Sequence, residues 1–128
     1  MDKALKWIEA GLISLAAIFA PIQSLLLSTG VMIFIDLVTG LLAAKKQAIP
    51  ITSSGLRRTV TKMFVYEAVL CLAYIAEHYM SNILPFVKMA SGMITIVELT
   101  SVYENLNIIG GNNILKSLID KLGSQNGS

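Results

Sequence analysis

At 128 residues, with 55% hydrophobic and 14% charged side chains, the chain departs from the soluble mix, in which about a quarter of residues are charged, and falls among membrane proteins. A soluble helical bundle is excluded because each helix would need a polar face and the first forty-odd residues offer almost none. The net charge of +2 comes from a short basic cluster without interleaved aromatics, which excludes a nucleic-acid platform. The single Cys71 sits in an apolar run, so it reads as a small packed residue with neither a disulfide partner nor metal-ligand spacing.

Lys3 and Lys6 followed by an apolar run imitate a secretory signal, but Ile18-Phe19-Ala20 and Pro21 spoil the cleavage pattern and the apolar run continues to Ala44. An uncleaved membrane segment is expected instead, with Trp7 at the interface. The block from Ile8 to Ala44 is too long for one span of about 20 residues. A turn at Ser28-Thr29-Gly30 would divide it into spans near 8–27 and 30–45, while Pro21 would either kink the first helix or start the second. Asp36 costs about 3 kcal/mol in the second span, against about 0.3–0.6 kcal/mol returned by each of Ile33, Phe34, Leu37, Leu41 and their apolar neighbours.

A basic loop, 45–62, follows, holding Lys45, Lys46, Arg57, Arg58 and Lys62 with no acidic residue between Asp36 and Glu67. These five cations are expected to fix topology and anchor the chain on anionic lipid. Pro50 stops any helix there, and Ser53 or Ser54 is the expected cap of the next. The third span then covers about 63–80, Ser81-Asn82 and Pro85 turn the chain, and the fourth covers about 84–102. Asn107 to Gly111 reads as a break. Asn112 then caps an amphipathic helix over about 112–122, ended by Gly123, with 124–128 a disordered tail. Its face of Ile114, Leu115, Leu118, Ile119 and Leu122 suits either the lipid interface or the protein's own bundle.

The expected fold is therefore an all-α integral membrane protein: four transmembrane helices as two hairpins plus a short C-terminal amphipathic helix, in one domain over 1–128. Four spans put every Lys/Arg-rich segment and both termini in the cytoplasm.

Within the spans, polar residues recur at helical spacing. Lys88, Ser91, Thr95, Glu98, Ser101 and Asn105 form one stripe; Thr29, Asp36, Thr39, Gly40 and Ala43 form a second; Glu67, Cys71, Tyr74 and His78, with Glu77 beside them, form a third. Such stripes are either helix seams or the lining of an aqueous lumen. Each residue alone favours a seam. Together they favour a lumen in an oligomer, because a single small bundle has little interior in which to hide Asp36, Glu67 and Glu98. Glu77 and Lys88 are expected to pair near the outer side, and Glu67 and Glu98 to repel at a shared depth unless hydrated or sharing a proton. His78 reads as interfacial. With no nucleophile beside a base, no phosphate loop and no metal cluster, neither an enzyme nor a cofactor is expected.

Three patterns then fall in order: Asp36-Leu37-Val38-Thr39-Gly40 with Ala43-Ala44; Ile51-Thr52-Ser53-Ser54-Gly55-Leu56-Arg57-Arg58; and Glu98-Leu99-Thr100-Ser101-Val102-Tyr103-Glu104-Asn105. Together they resemble the phage holin family that includes clostridial toxin-secretion holins, over roughly Val31 to Leu122. The chain departs from relatives in carrying Asn112-Asn113 where prolines often precede the final helix, and it keeps an acid, Glu77, near the end of the third span. The resemblance implies a small prophage-encoded protein of the bacterial cytoplasmic membrane. Such a protein self-associates and opens lesions that release an endolysin or toxin, so its partners are the lipid bilayer, copies of itself and the endolysin cargo. A permanent channel or transporter subunit, a membrane anchor of a phage-like secretion apparatus and an antiholin stay open as alternatives.

Overall fold

The computed structural model describes residues 2–111 and 114–125. These are helical apart from short connections, in the order α1 (Asp2–Phe19), α2 (Gln23–Lys46), α3 (Ser53–Ile75), α4 (Phe86–Gly110) and α5 (Ile114–Gln125), with no strand among the described residues. Three stretches are long and apolar enough to cross a membrane: Asp2–Lys46, Ser53–Met80 and Phe86–Gly110.

The expected reversal at Ser28-Thr29-Gly30 is not there: α2 runs unbroken from Gln23 to Lys46. Ser28 and Thr29 donate their hydroxyls back to the carbonyls of Ser24 and Leu25, at 2.7 and 3.0 Å, and remain inside α2. Gly30 also stays helical, beside the Met63 side chain, which a Cβ there would meet at an ordinary 3.7 Å. The break falls at Ala20–Ile22, a single 3₁₀ turn containing Pro21, the other place the sequence offered for a kink or a new helix; its missing N–H interrupts the helical ladder. In line, α1 and α2 would extend about 68 Å at 1.5 Å per residue, over twice the ~30 Å hydrocarbon core. One crossing cannot contain both.

Helices α2, α3 and α4 form the bundle, with the broadest interface between α2 and α4. Contacts between α2 and α4 rise together in residue number (Asp36 with Ser101, Lys46 with Ile109), which makes these helices parallel. Contacts between α3 and α4 run oppositely (Lys62 with Glu98, Glu77 with Val87), so α3 is antiparallel to both. The core is small: Ile22, Ile33, Ala43, Leu70, Tyr74 and Ile94, with Thr29 and Glu98 as buried polar members. Many other large apolar side chains, among them Phe34, Phe64, Leu72, Met93 and Ile96, are exposed, as lipid-facing surfaces are.

The helix ends explain several shifted boundaries. Thr52, rather than Ser53 or Ser54, caps α3, accepting the Gly55 N–H on its hydroxyl at 3.4 Å. This starts the helix ten residues before the expected third span and leaves only 47–52 as loop. Asn107 is helical, and α4 ends at Gly111, whose φ of 72° is the left-handed cap that glycine adopts without strain. At the other end of the bundle, α3 widens into a π-helical turn, Ala76–Met80, before Pro85 leads into α4. Helix α5 runs through Gly123 to Gln125, since a glycine exposed to solvent or lipid weakens a helix without being obliged to end it. The expected cap at Asn112 lies outside the described residues. Leu118, Ile119 and Leu122 are exposed, so α5 does not bury these three apolar side chains on the bundle.

Candidate functional site

Each bundle helix contributes one charge to a common level. Lys62 lies nine residues after the start of α3, Asp36 ten before the end of α2 and Glu98 twelve before the end of α4, or about 14, 15 and 18 Å from the shared end of the bundle. Lys62 Nζ reaches Asp36 Oδ2 at 2.6 Å and Glu98 Oε2 at 2.9 Å. These are the ion pairs among the described residues.

Around them the polar stripe of α4 closes onto α2. Ser101 donates its hydroxyl to Asp36 Oδ1 at 2.6 Å, and the Asn105 amide donates to the same oxygen at 3.2 Å and to Thr39 Oγ1 at 3.2 Å. Asn105 also donates to the Asp36 carbonyl at 3.4 Å, which requires a close approach of the two backbones. A Cβ at Gly40 would stand 3.5 Å from Asn105 Nδ2, an ordinary contact, so the site has room for a methyl group but none for a longer side chain pointing at Asn105. Asp36 is thus neutralised by an ammonium and held by two further donors. Glu98 is wholly buried, and its Oε1 accepts no hydrogen bond among the described residues, although the Tyr66 phenol on α3 faces the same carboxylate. Two carboxylates share one ammonium, so the cluster retains one formal negative charge.

Asp36, Thr39, Gly40, Glu98, Ser101 and Asn105 therefore come together at one seam. This removes the difficulty of hiding two of the acids, since a three-helix unit encloses both once a lysine from α3 joins them. Lys62 is the residue that sequence reasoning misplaced: expected on the lipid-facing loop, it is the centre of the cluster. The signal available was depth, because counting inward from the basic loop along α2 and α3 brings Asp36 and Lys62 level once Thr52 is taken as the cap.

The other expected residues lie elsewhere. Ser91 and Thr95 bond to carbonyls of their own helix, at Lys88 and Ser91. Lys88 is exposed and does not pair with Glu77, whose carboxylate accepts the Val87 N–H at 2.7 Å and so caps the start of α4. Glu67 is half-buried on a different flank of α3 from Lys62, the residue that meets Glu98. Lys46 donates to the Ile109 carbonyl at 2.5 Å and ties the end of α2 to the end of α4. Lys45, Arg57 and Arg58 are exposed at that same end. His78 is exposed, stacked on Tyr74 and edge-on to Tyr79 at the opposite end. No group of His, Cys, Asp and Glu among the described residues is placed to hold a metal ion.

An apolar-surfaced helical bundle closed around a charge cluster at membrane depth defines an all-α membrane protein with an ionic seam. The chain belongs to the bacteriophage holin family, whose model matches residues 14–125, from the second half of α1 to the end of α5. That is not a family of enzymes. No curated protein and no solved structure gives a match.

Proposed function

We propose that the protein is a lysis holin of the bacterial cytoplasmic membrane: it accumulates there, self-associates and opens lesions through which an endolysin reaches the cell wall. The observation that carries this reading beyond family membership is the Asp36–Lys62–Glu98 cluster, a charged seam enclosed by three helices whose outer faces are otherwise apolar. Closed, it lets one copy sit in lipid with both carboxylates held on the shared ammonium. In an assembly the same groups, together with Thr39, Ser101 and Asn105, would line the aqueous path when the helices part, because water replaces the partners they lose. The half-buried Glu67, and Glu77, Lys88, Ser91 and Thr95 along the remaining stripes, are the further candidates for subunit contacts or lumen.

The exposed Lys45, Arg57 and Arg58 hold the bundle's basic end at the cytoplasmic leaflet, where each cation near anionic lipid contributes about 1 kcal/mol. The amphipathic α5 lies in that interface with Leu118, Ile119 and Leu122 toward the acyl chains.

The test is induced expression with and without a co-expressed endolysin. A delayed, abrupt arrest of growth followed by lysis only when endolysin is present is the expected result. Membrane insertion without arrest would leave a channel, an anchor or an antiholin instead.

A further inference from the structure

Between the inner half of α2, the 50–52 segment and the first turns of α3 runs an open cleft of about 350 Å³. Its walls include Leu37, Leu41, Ile51 and Leu56, and its floor is the Asp36, Ser101 and Asn105 side of the ion cluster. The polar side chains of this cleft are nearly all committed. Asp36, Ser101 and Asn105 bond to one another, Thr59 donates to the Gly55 carbonyl, and Thr52 is occupied by the Gly55 N–H and the Ser54 hydroxyl. The exception is Arg58, which lines the cleft, is exposed, and makes no ion pair or side-chain hydrogen bond among the described residues.

A cleft with apolar walls and one uncommitted guanidinium fits a ligand that is anionic at one end and apolar along its length. The setting supplies one. Arg58 lies at the basic end of the bundle with Lys45 and Arg57, where the hydrocarbon core meets the headgroups, and a guanidinium binds a phosphate through two parallel N–H donors. The residual negative charge of the floor also keeps an anion at the rim rather than deeper. From this geometry we infer that the cleft seats one phospholipid of the cytoplasmic leaflet. Its phosphate lies on Arg58 and an acyl chain lies along Leu37 and Leu41, and anionic headgroups are favoured over zwitterionic ones. The bound lipid covers the side of the bundle from which water would reach Asp36, so it acts as a seal on the ionic seam. This inference rests on the lipid-facing placement of the basic end and not on lesion formation.

The full-length chain, incubated with equal amounts of phosphatidylglycerol and phosphatidylcholine of matched acyl chains and then analysed by native mass spectrometry, tests it without any lysis readout. The expected result is one retained phosphatidylglycerol per chain, favoured at least fivefold over phosphatidylcholine and not displaced by inorganic phosphate. Arg58→Gln should abolish the preference, while Arg57→Gln, which removes the same charge outside the cleft, should keep it. Ala44→Phe, which fills the cleft and leaves Arg58 in place, should lower retention of both lipids if its helical circular dichroism is unchanged; if that variant misfolds, the two arginine variants decide. Equal retention of both lipids by the unsubstituted chain, an unchanged preference in Arg58→Gln, or equal losses in both arginine variants would each overturn the site.

Discussion

The α2–α4 bundle and the flanking helix α1 are both apolar and long, yet they hold their charges in opposite ways. In the bundle Asp36, Lys62 and Glu98 meet at one depth and are enclosed, so hydrophobic length and charge are reconciled by pairing. In α1 the charges Asp2, Lys3, Lys6 and Glu9 are confined to the first half, no residue is buried, and even Leu12 and Ile13 remain exposed. α1 meets the bundle at its last residue, where the Phe19 ring lies 6.1 Å from that of Tyr74, just before the Pro21 break. The contrast teaches that apolar character alone does not recruit a helix to a membrane bundle. Where the solvent is hydrocarbon, apolar side chains gain little by leaving lipid for protein, and polar pairing with close backbone approach decides which helices associate.

The strongest way to break this contrast is to remove the shared cation. Lys62→Met leaves two carboxylates against each other, and loss of one partner of a buried pair costs about 3–5 kcal/mol. The expected outcome is little inserted, folded protein, scored by membrane fractionation and thermal unfolding in detergent. The triple change Asp36→Asn, Lys62→Met, Glu98→Gln, which removes every charge together, should recover most of the inserted protein. If the triple variant is as poor as the single one, charge pairing is not what holds the bundle.

Asp36→Leu is the gentler break. It leaves Lys62 and Glu98 as a neutral pair, so insertion should persist, while the polar path between α2 and α4 loses its central acceptor. Lysis in the endolysin assay should be abolished or delayed severalfold, and unchanged timing would remove Asp36 from the mechanism. Gly40→Leu tests close approach without touching charge. Forcing a side chain against Asn105 should destabilise the bundle by about 1–3 kcal/mol, read as a lowered midpoint in detergent unfolding.

Smaller effects sharpen the other side of the comparison. Glu77→Ala uncaps α4 and leaves the Val87 N–H without its 2.7 Å acceptor, at a cost of about 1–2 kcal/mol. Leu12→Ser in α1 should shift the unfolding midpoint by no more than an exposed substitution does, within about 0.5 kcal/mol. A shift in the latter as large as that of Gly40→Leu would mean that α1 packs against the bundle after all.

Much of this was legible in the residues. The apolar composition, the three- and four-residue steps of Glu98, Ser101 and Asn105, and the order of the Asp36, Ile51–Arg58 and Glu98–Asn105 patterns pointed to an all-helical membrane protein resembling holins, and the family match agrees. Helix starts and stops were read less well, because they depend on what the chain meets. Ser28-Thr29-Gly30 has turn composition, but in an apolar surrounding its hydroxyls return to the helix's own carbonyls and the helix runs on through Gly30. Glu77 and Lys88 have complementary charges, yet an N–H at the start of α4 holds the glutamate first.

Sequence by itself determined which segments prefer lipid, which end of the bundle is basic and which faces of α2 and α4 are polar, since these follow from composition and from 3.6-residue periodicity. Only the tertiary structure decided that the first apolar block breaks at Pro21 and not at Ser28-Thr29-Gly30, two places its residues had both offered, and that Lys62 leaves the basic loop to pair with Asp36 and Glu98. The reason is that each of these depends on distances between separate helices, and a lysine's role changes from lipid anchor to buried counter-ion with the face and depth at which its neighbours present their carboxylates.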